Sequence, residues 1–339
     1  MTQPPVLGRE KNSPTVSNGY VNLFEPILPD LARVDEVLRD ELQSRFPFVN
    51  SLVEHVACYQ GKRLRPALLL LIAQAAGKIR QEHLVLAAVV EMIHTATLVH
   101  DDVLDRAVVR RHKATVNAEW GTETSVLLGD YLFTHAFHLA ASLDSTLACR
   151  LIGRATNIVC EGELHQIHQR GYLELSEDEY FDIIEGKTAE LCAISCQLGA
   201  HFAGVPAAIE SALERYGRNL GMAFQIADDL LDLLGEEKNT GKSLGTDVEQ
   251  QKLTLPLIWL MRHGSPDAAR SLERILSGAG DDKLEQLRSL LEESDALSYT
   301  RRRAEQFAAT ARHELEDLSD SPARQSLIQL THLVVHRSS

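Results

Sequence analysis

Two aspartate-rich stretches, far apart in the chain, contain the residues best suited to catalysis. Both have the pattern Asp-Asp-x-x-Asp, and together they comprise Asp101, Asp102, Asp105, Asp228, Asp229 and Asp232. Residues three and four apart lie on one face of a helix, so each stretch presents a row of carboxylates. Like charges at that spacing repel one another, whereas a hard divalent cation such as Mg2+ takes carboxylate oxygens as ligands. The spacing therefore indicates metal-assisted chemistry on an anion.

The repetition of the pattern is more informative than either copy. A single copy in an acidic protein is usually no more than a solvated, charged helix face. Here each copy follows a long apolar segment. Two such segments that faced one another would enclose several metal ions around one diphosphate.

A short basic turn, Gly61-Lys62-Arg63-Leu64-Arg65-Pro66, is the second candidate binding element. We expect Pro66 to occupy the first position of the following helix, where its missing N–H costs nothing. Cations at a helix N-terminus oppose the helix dipole, so three of them together favour a bound anion at this position. The simpler alternative is a charged helix start without a ligand.

The elements that must position these residues are long helices. Apolar residues fill the segment 81–109 almost without interruption up to Val99, and a helix that is apolar on all sides is buried. Further helices are predicted over 67–77, 121–142, 144–170, 176–203 and 206–235, and over Leu23 to Phe46, where Pro47 ends an amphipathic helix. No alternation of Val, Ile and Thr is long enough for a sheet.

These patterns predict an all-α protein, a single large helical bundle around a central apolar cavity. A buried helix that ends in three aspartates implies that this cavity is apolar at its base and acidic at its entrance. We expect the bundle to comprise residues 23–335, with a disordered lead at 1–22 and a short tail at 336–339.

Composition limits the classes of partner. The 339 residues are 44% hydrophobic, 24% charged and 5% aromatic, and the net charge is -14. That charge, without a basic block, argues against nucleic acid, and an anionic substrate would need local cations or metal ions. No apolar run reaches the roughly 18 residues that span a bilayer; the longest, Pro66 to Gly77, fits a buried helix. Five cysteines without a paired framework, and no signal-peptide pattern, favour a reduced, cytoplasmic protein.

With these stretches in this order, the chain resembles the trans-polyprenyl diphosphate synthases, especially the long-chain members, of the octaprenyl and solanesyl type, that make quinone tails. The likeness covers roughly residues 23–335. Besides the basic turn and the two aspartate motifs, it is carried by Arg110-Arg111, Glu161-Gly-Glu163-x-x-Gln166, Gly186-Lys187-Thr188-Ala189, Phe224-Gln225, Gly241-Lys242-x-x-Gly245-x-Asp247 and Lys252-x-Thr254-Leu-Pro256. Two positions depart from the usual pattern: His112 stands where glycine is usual, and Leu253 where proline is frequent.

The resemblance implies the isoprenoid synthase fold, a homodimer, and head-to-tail (1′-4) condensation of isopentenyl diphosphate with an allylic diphosphate. It implies three Mg2+ ions per active site, with Asp101, Asp105 and Asp228 as ligands. Asp229 and Asp232 support them, and Asp102 belongs to the same catalytic set. Lys187, Thr188, Gln225, Arg110 and Lys242 would lie against the allylic diphosphate. Lys62, Arg65, His94 and Arg111 would hold the diphosphate of isopentenyl diphosphate.

These implied roles are chemically consistent. Ionising an allylic C–O bond leaves a carbocation and a diphosphate, so metal ions and cationic side chains act where negative charge builds up. Arginine binds phosphate bidentately, and lysine acts as a point charge. The carbocation needs a dry apolar pocket. In this family the departing diphosphate accepts the proton, so no separate general base is required.

Family members set product length with the residues about one turn before the first aspartate. Here those positions hold the small residues Ala96 and Thr97, and the next turns offer Met92 and Val89. Short-chain members place aromatic residues there. We therefore expect a long product, of roughly six to ten isoprene units.

Three alternatives remain open. A shorter-chain geranylgeranyl synthase would differ only in its product. A terpene cyclase also ionises allylic diphosphates, but its second metal motif usually mixes Asn, Ser and Glu, and it needs no isopentenyl diphosphate. A non-catalytic partner subunit would be expected to have lost aspartates or arginines that this chain keeps.

Overall fold

The computed structural model of the protein describes residues 22–59, 61–235, 245–278 and 282–336. Within these ranges the strands are limited to one short hairpin. The N-terminal half contains α1 (Leu28–Glu41), α2 (Pro47–Ala57), α3 (Leu64–Ala76), α4 (Gln81–Leu104), β1 (Val109–Arg110), β2 (Lys113–Ala114), α5 (Val116–Trp120), α6 (Thr122–Ala141) and α7 (Thr146–His168). The C-terminal half contains α8 (Glu177–Ile184), α9 (Glu190–Ala203), α10 (Ala207–Leu234), α11 (Thr246–Glu249), α12 (Leu255–His263), α13 (Pro266–Ser277), α14 (Lys283–Glu292), α15 (Ala296–His313) and α16 (Pro322–His336).

Helix α4 is the central element, because it carries the first aspartate motif at its C-terminal end. Its side chains from Leu84 to Ile93 are buried, and it packs against α1, α3, α6 and α9. At its start, the His83 ring accepts a hydrogen bond from the Arg80 backbone N–H at 2.9 Å. The helix ends at Leu104 rather than at residue 109, because Arg106 takes a left-handed conformation with φ 52°.

By length and composition alone, helix α4 is able to cross a membrane, although the sequence analysis finds no apolar run of that length. The difference arises because a few polar residues such as Glu91 and His94 interrupt the run without making the helix polar on average. Of its most apolar window, 72% is buried among the other helices. That burial is typical of a core helix.

The helices predicted over 121–142, 144–170 and 206–235 are confirmed as α6, α7 and α10. The helix predicted over 176–203 is continuous but wider in its middle, because Glu185–Ala189 forms a π-helical turn between α8 and α9. Turns of this kind are rare in proteins, and those that occur are frequently found at functional sites. This one contains Lys187 and Thr188, two residues for which the family resemblance implies substrate binding.

Two helix boundaries near prolines differ from the sequence predictions. Leu23 to Phe46 is not one helix: a 3-10 turn at Glu25–Ile27 precedes α1, which ends at Glu41. Pro47 begins α2 instead of ending the preceding helix. Likewise α3 starts at Leu64, so Pro66 is its third residue rather than its first. Both prolines lie within a first helical turn, where the N–H has no intrahelical acceptor.

The hairpin after α4 is too short to give a sequence pattern of alternating residues. Val109 pairs with Ala114 and Arg110 with Lys113. The two connecting residues, Arg111 and His112, have φ of 51° and 62°. A two-residue turn of this hand favours glycine, which explains why glycine is usual at the position of His112.

Two apolar clusters make up the core, and α10 belongs to both. Leu213, Tyr216 and Leu220 from its first half pack in a cluster with α3, α4, α6 and α9. Ile226 and Leu230 from its second half pack in a cluster with α8, α12, α14 and α15. The second aspartate motif is therefore in the part of α10 that contacts the second cluster.

Candidate active site

The first aspartate motif meets a lysine from the π-helical turn. Lys187 Nζ lies 2.5 Å from Glu163 Oε2 and donates to Gln166 Oε1 at 2.9 Å, and both partners are on α7. Desolvation raises the pKa of Asp101 to about 6, Lys187 opposes that rise, and the carboxylates of Glu163 and Asp105 add to it. Three elements, α4, α7 and the π-helical turn, thus bring carboxylates and one ammonium together.

Asp102 faces away from this group, toward the hairpin. Its side chain is 1% exposed, and Oδ1 accepts a hydrogen bond from Arg110 Nε at 2.7 Å. Burial raises the pKa of Asp102, and Arg110 opposes that shift. The other oxygen, Oδ2, is buried without a hydrogen-bond partner among the described residues.

Asp105 lies between two cations from distant parts of the chain. Its Oδ1 is 3.1 Å from Arg170 Nη2, just after α7, and 3.5 Å from Lys252 Nζ, before α12. Lys252 Nζ is also 3.9 Å from Asp247 Oδ1. Lys252 therefore connects the first aspartate motif to the segment that follows the second.

The second aspartate motif is held by hydrogen bonds within the protein. Asp229 accepts from Gln225 Nε2 and from the Tyr180 hydroxyl, each at 2.7 Å. Gln225 Oε1 in turn accepts from Thr188 Oγ1 at 2.7 Å. Burial raises the pKa of Asp229 to about 8, with Asp247 as the largest charged contributor. Asp229 is thus an orienting group whose two oxygens are already engaged.

Asp232 has a similar internal role one turn further along α10. It is 1% exposed and accepts from Thr246 Oγ1 at 3.0 Å and from the Asp247 backbone N–H at 3.1 Å. These bonds fix α11 against the end of α10. Both Asp229 and Asp232 thus accept hydrogen bonds within the protein, and their role in supporting the metal ligands stays a prediction.

The second aspartate motif lines one small cavity. A space of about 70 Å³ is enclosed by Lys187, Thr188, Gln225, Asp229, Asp247 and Lys252, among others. Asp105 reaches it through Lys252. Among the described residues, none from the first motif lines this cavity, so the meeting of the two acidic helix ends at one site stays a prediction.

The donor set around this cavity suits a hard cation that brings some of its own ligands. Among the described residues, no three His, Cys, Asp or Glu side chains are grouped closely enough to hold a metal ion alone. Carboxylate oxygens of Asp229 and Asp247 nevertheless line the cavity, and Asp105 Oδ1 lies 3.5 Å from the lining residue Lys252. Mg2+ binds through one or two carboxylates plus water and substrate phosphates, so the residues fit such an ion.

A cationic group surrounds His94, which lies about two turns before Asp101 on the same face of α4. Burial and the charges of Arg65, Arg111, Arg110 and Arg63 hold the pKa of His94 well below its usual range, so the ring is neutral at pH 7. Arg111 Nη1 donates to the Tyr59 carbonyl at 2.6 Å. The predicted isopentenyl diphosphate residues Arg65, His94 and Arg111 are thus together, in a setting that suits an anion.

Three further basic residues that the sequence singles out for anion binding are Arg63, Lys62 and Lys242. Arg63 is 3.1 Å from Asp35 and 2.8 Å from Glu91, so its charge is compensated within the protein. Lys62 adjoins it in the same basic turn. Lys242 lies outside the described residues.

Three residues that contact the aspartates directly have no role predicted from the sequence: Tyr180, Arg170 and Lys252. Tyr180 is in an apolar stripe of α8, and the only available signal is that a buried tyrosine hydroxyl requires a partner. Arg170 is followed by Gly171 at the end of α7, where a basic residue is ordinary. Lys252 occurs in a family block, but its spacing does not indicate its partners.

Comparison with known proteins identifies the family. Residues 47–294 match the polyprenyl synthetase family model. The chain belongs to the polyprenyl synthetase family. It is a prenyltransferase with the isoprenoid synthase fold, as the resemblance implies.

Several members are similar over almost their full length. The octaprenyl diphosphate synthase of Escherichia coli K12 is 38% identical over 309 residues, which cover 91% of this chain and 96% of the relative. The all-trans-nonaprenyl-diphosphate synthase (geranyl-diphosphate specific) of Rhodobacter capsulatus is 37% identical over 93% of this chain and 97% of the relative. The crystal structure of a Caulobacter crescentus polyprenyl synthase, complexed with calcium and isoprenyl diphosphate, superposes with TM-score 0.90 at 37% identity, over 97% of this chain and 100% of that one.

Gly61 allows Arg111 to approach the basic turn, and its replacement tests the cationic group. A Cβ at this position would overlap the Arg111 guanidinium, which is the flexible end of a side chain. We expect Gly61→Ala to raise the KM for isopentenyl diphosphate about tenfold by displacing one charge-assisted hydrogen bond. The KM for the allylic substrate and the melting temperature should change little. Gly77→Ala is the control, since a Cβ there meets ordinary contacts at 3.7 Å. Equal KM values in both variants would contradict the role of Arg111.

The Tyr180 hydroxyl is a second test of the site. Tyr180→Phe leaves a buried oxygen of Asp229 without its donor, so we expect a loss of about 1–3 kcal/mol in the free energy of unfolding. We also expect the Mg2+ concentration for half-maximal activity to rise, because Asp229 is no longer held in one orientation. Tyr172→Phe is the control, as that hydroxyl is on an exposed side chain and contacts Glu174. A stability loss with an unchanged Mg2+ requirement would assign Tyr180 to packing alone.

Proposed function

We propose that the two charged groups along one face of α4, around Asp101 and Asp105 and around His94, bind the two substrates of a repeated head-to-tail (1′-4) condensation. The acidic cavity takes the allylic diphosphate with its metal ions, and the cationic group takes isopentenyl diphosphate. The observation that carries this proposal is the Asp105–Lys252–Asp247 contact, since it joins the first aspartate motif to the segment that follows the second and that lines the cavity beside Lys187 and Asp229. The product is a long trans-polyprenyl diphosphate suited to a quinone side chain.

On the allylic side, Asp101, Asp105 and Asp228 are the proposed ligands of three Mg2+ ions. When bound, these ions supply Lewis acidity to the leaving diphosphate. Lys187, Arg110, Gln225, Thr188 and Lys242 add donors for the diphosphate oxygens. The Caulobacter crescentus structure, which contains calcium and isoprenyl diphosphate, supports a divalent ion with this type of ligand.

On the other side, Arg65, Arg111 and Lys62 carry the charge that balances the isopentenyl diphosphate, and neutral His94 donates one ring N–H. A neutral imidazole fits here because four arginine charges nearby oppose its protonation. Each arginine can donate two parallel hydrogen bonds to two oxygens of one phosphate group, which fixes the orientation of the substrate.

The buried face of α4 excludes water from the region between the two groups. Ala96 and Val99, five and two residues before Asp101, are completely buried. A dry wall protects an allylic carbocation from capture by water. The departing diphosphate then accepts the proton, so the absence of a dedicated base is no obstacle.

The direct test is product analysis after incubation of the purified chain with farnesyl diphosphate, isopentenyl diphosphate and Mg2+. We expect long polyprenyl diphosphates by chromatography and no turnover in EDTA. Products without isopentenyl diphosphate would indicate a terpene cyclase, and inactivity of the chain alone would indicate a partner subunit. Accumulation of geranylgeranyl diphosphate would indicate the shorter-chain alternative.

Asp105→Asn tests the metal assignment. We expect turnover to fall about a hundredfold or more, because one carboxylate ligand at the leaving group is lost. Asp130→Asn is the matched control: its carboxylate is 62% exposed and faces His100 rather than the cavity. Similar activity in the two variants would rule out Asp105 as a ligand.

The chain-length residues can be tested by adding bulk on α4. Ala96 and Met92 are buried, and Thr97 is partly exposed one turn before Asp101. We expect Ala96→Tyr and Thr97→Phe to shorten the product, and Thr95→Phe, on another face of the helix, to leave its length unchanged. Melting temperatures check for overpacking, which typically costs 1–3 kcal/mol. Unaltered products from folded variants would show that this face of α4 does not limit the chain.

The predicted homodimer and cytoplasmic location have indirect support. Val126 and Leu127 on α6 are 41% and 68% exposed, which provides apolar surface for a second copy. All five cysteines are free. Light scattering of the purified protein measures the assembly.

A further inference from the structure

We propose that Arg170 is a further ligand of the allylic diphosphate, which neutralises Asp105 in the metal-free protein and turns to the diphosphate when Asp105 binds metal. This inference rests on the proposed function and adds a residue to it. It concerns the turn after α7, to which no motif assigns a role.

Arg170 is placed at Asp105 by contacts between two loops. The Gly171 backbone N–H donates to the Gln251 carbonyl at 2.9 Å, which joins the end of α7 to the segment before α12. Gly171 has φ 79°, a backbone conformation that residues other than glycine rarely adopt. Arg170 and Lys252 are thereby held on neighbouring loops, and both contact the same Asp105 oxygen.

The Arg170 guanidinium has N–H donors that its contact with Asp105 does not use. Nη2 is the atom that contacts Asp105, and Nε is buried without a hydrogen-bond partner in the part of the chain that the structure describes. An arginine carries five N–H donors in a rigid fork, which matches two oxygens of one phosphate group. A buried donor without a partner is unfavourable, so the free protein is arranged for an acceptor that arrives later.

Metal binding changes the charge that Arg170 faces. While Asp105 is a bare carboxylate, the guanidinium and the Lys252 ammonium compensate it. Once the carboxylate is shared with a divalent cation, the same guanidinium is repelled. The anion that then lies nearest is the diphosphate held by that metal, so Arg170 competes with the metal but assists the substrate.

Two opposite effects follow from removing this charge. In Arg170→Gln, Mn2+ should bind about twofold to fivefold more tightly in the absence of diphosphate, because a partly exposed competing charge is gone. Inorganic diphosphate, in the presence of saturating Mg2+, should bind about tenfold more weakly, because a charge-assisted pair of hydrogen bonds is lost. If Arg170 had only a structural role, its replacement would change the Mn2+ and diphosphate affinities in the same direction, or would change neither of them.

The experiment uses the full-length chain, Mn2+ titration followed by electron paramagnetic resonance, and diphosphate titration by calorimetry. Arg303→Gln is the matched control, since Arg303 pairs with Glu177 at 3.0 Å with 29% and 27% side-chain exposure, close to the 25% and 21% of Arg170 and Asp105. We expect the control to match the unmodified protein in both titrations. Arg170→Lys should restore the Mn2+ affinity but only part of the diphosphate affinity, because lysine lacks the planar fork.

The outcomes separate this inference from the proposed function. If the unmodified chain does not bind inorganic diphosphate with Mg2+, the proposed function itself fails. If it binds and Arg170→Gln binds equally well, Arg170 is only a surface ion pair. If both affinities of Arg170→Gln fall, Arg170 merely orients Asp105, and the exchange of partners is wrong.

Discussion

The structure depends on keeping carboxylates from separate helices close together in a partly buried site. Without compensation, their mutual repulsion and desolvation would separate the helices that carry them. The compensation comes from single cations placed between acidic groups: Lys187 beside Asp101 and Glu163, and Lys252 between Asp105 and Asp247. Each of these lysines comes from an irregular part of the chain, a π-helical turn or the segment before α12. The regular helices therefore carry the acidic residues, and the irregular segments carry the basic residues that compensate them.

The division of labour among the acids has a physical basis. Asp229 and Asp232 are buried and already accept hydrogen bonds from two donors each. A carboxylate so engaged is a poor candidate for a ligand that must respond to substrate, but a good support for its neighbours. Asp101 and Asp105 instead face lysine or arginine charges, which a divalent cation replaces with little change in net charge. The two motifs have the same amino-acid pattern but different environments.

Sequence reasoning predicts the helices and the clusters of charge well, because both depend on local spacing. The run to Val99, the breaks near residues 121, 144 and 204, and the family blocks are all local signals. Helix ends near Pro26, Pro47 and Pro66 are predicted less well, since proline suits the first turn of a helix as readily as the position after its end. The contacts of Tyr180 and Arg170 are not predictable from spacing, because their partners are 49 and 65 residues away. The left-handed turn at His112 becomes understandable only from the backbone, since nothing in a lone histidine indicates a positive φ.

Helix α10 has a consequence for how the molecule unfolds. Its first half packs in one apolar cluster and its second half in the other, and the chain between them is a single uninterrupted helix. Neither cluster can open without breaking or exposing a helix that the other also needs, so the two halves should unfold in one cooperative step. A ligand held at the acidic cavity would then slow amide hydrogen exchange even around Tyr216, whose hydroxyl donates to Leu327 on the far side of the core. Occupancy of the site would be detectable as rigidity throughout the bundle.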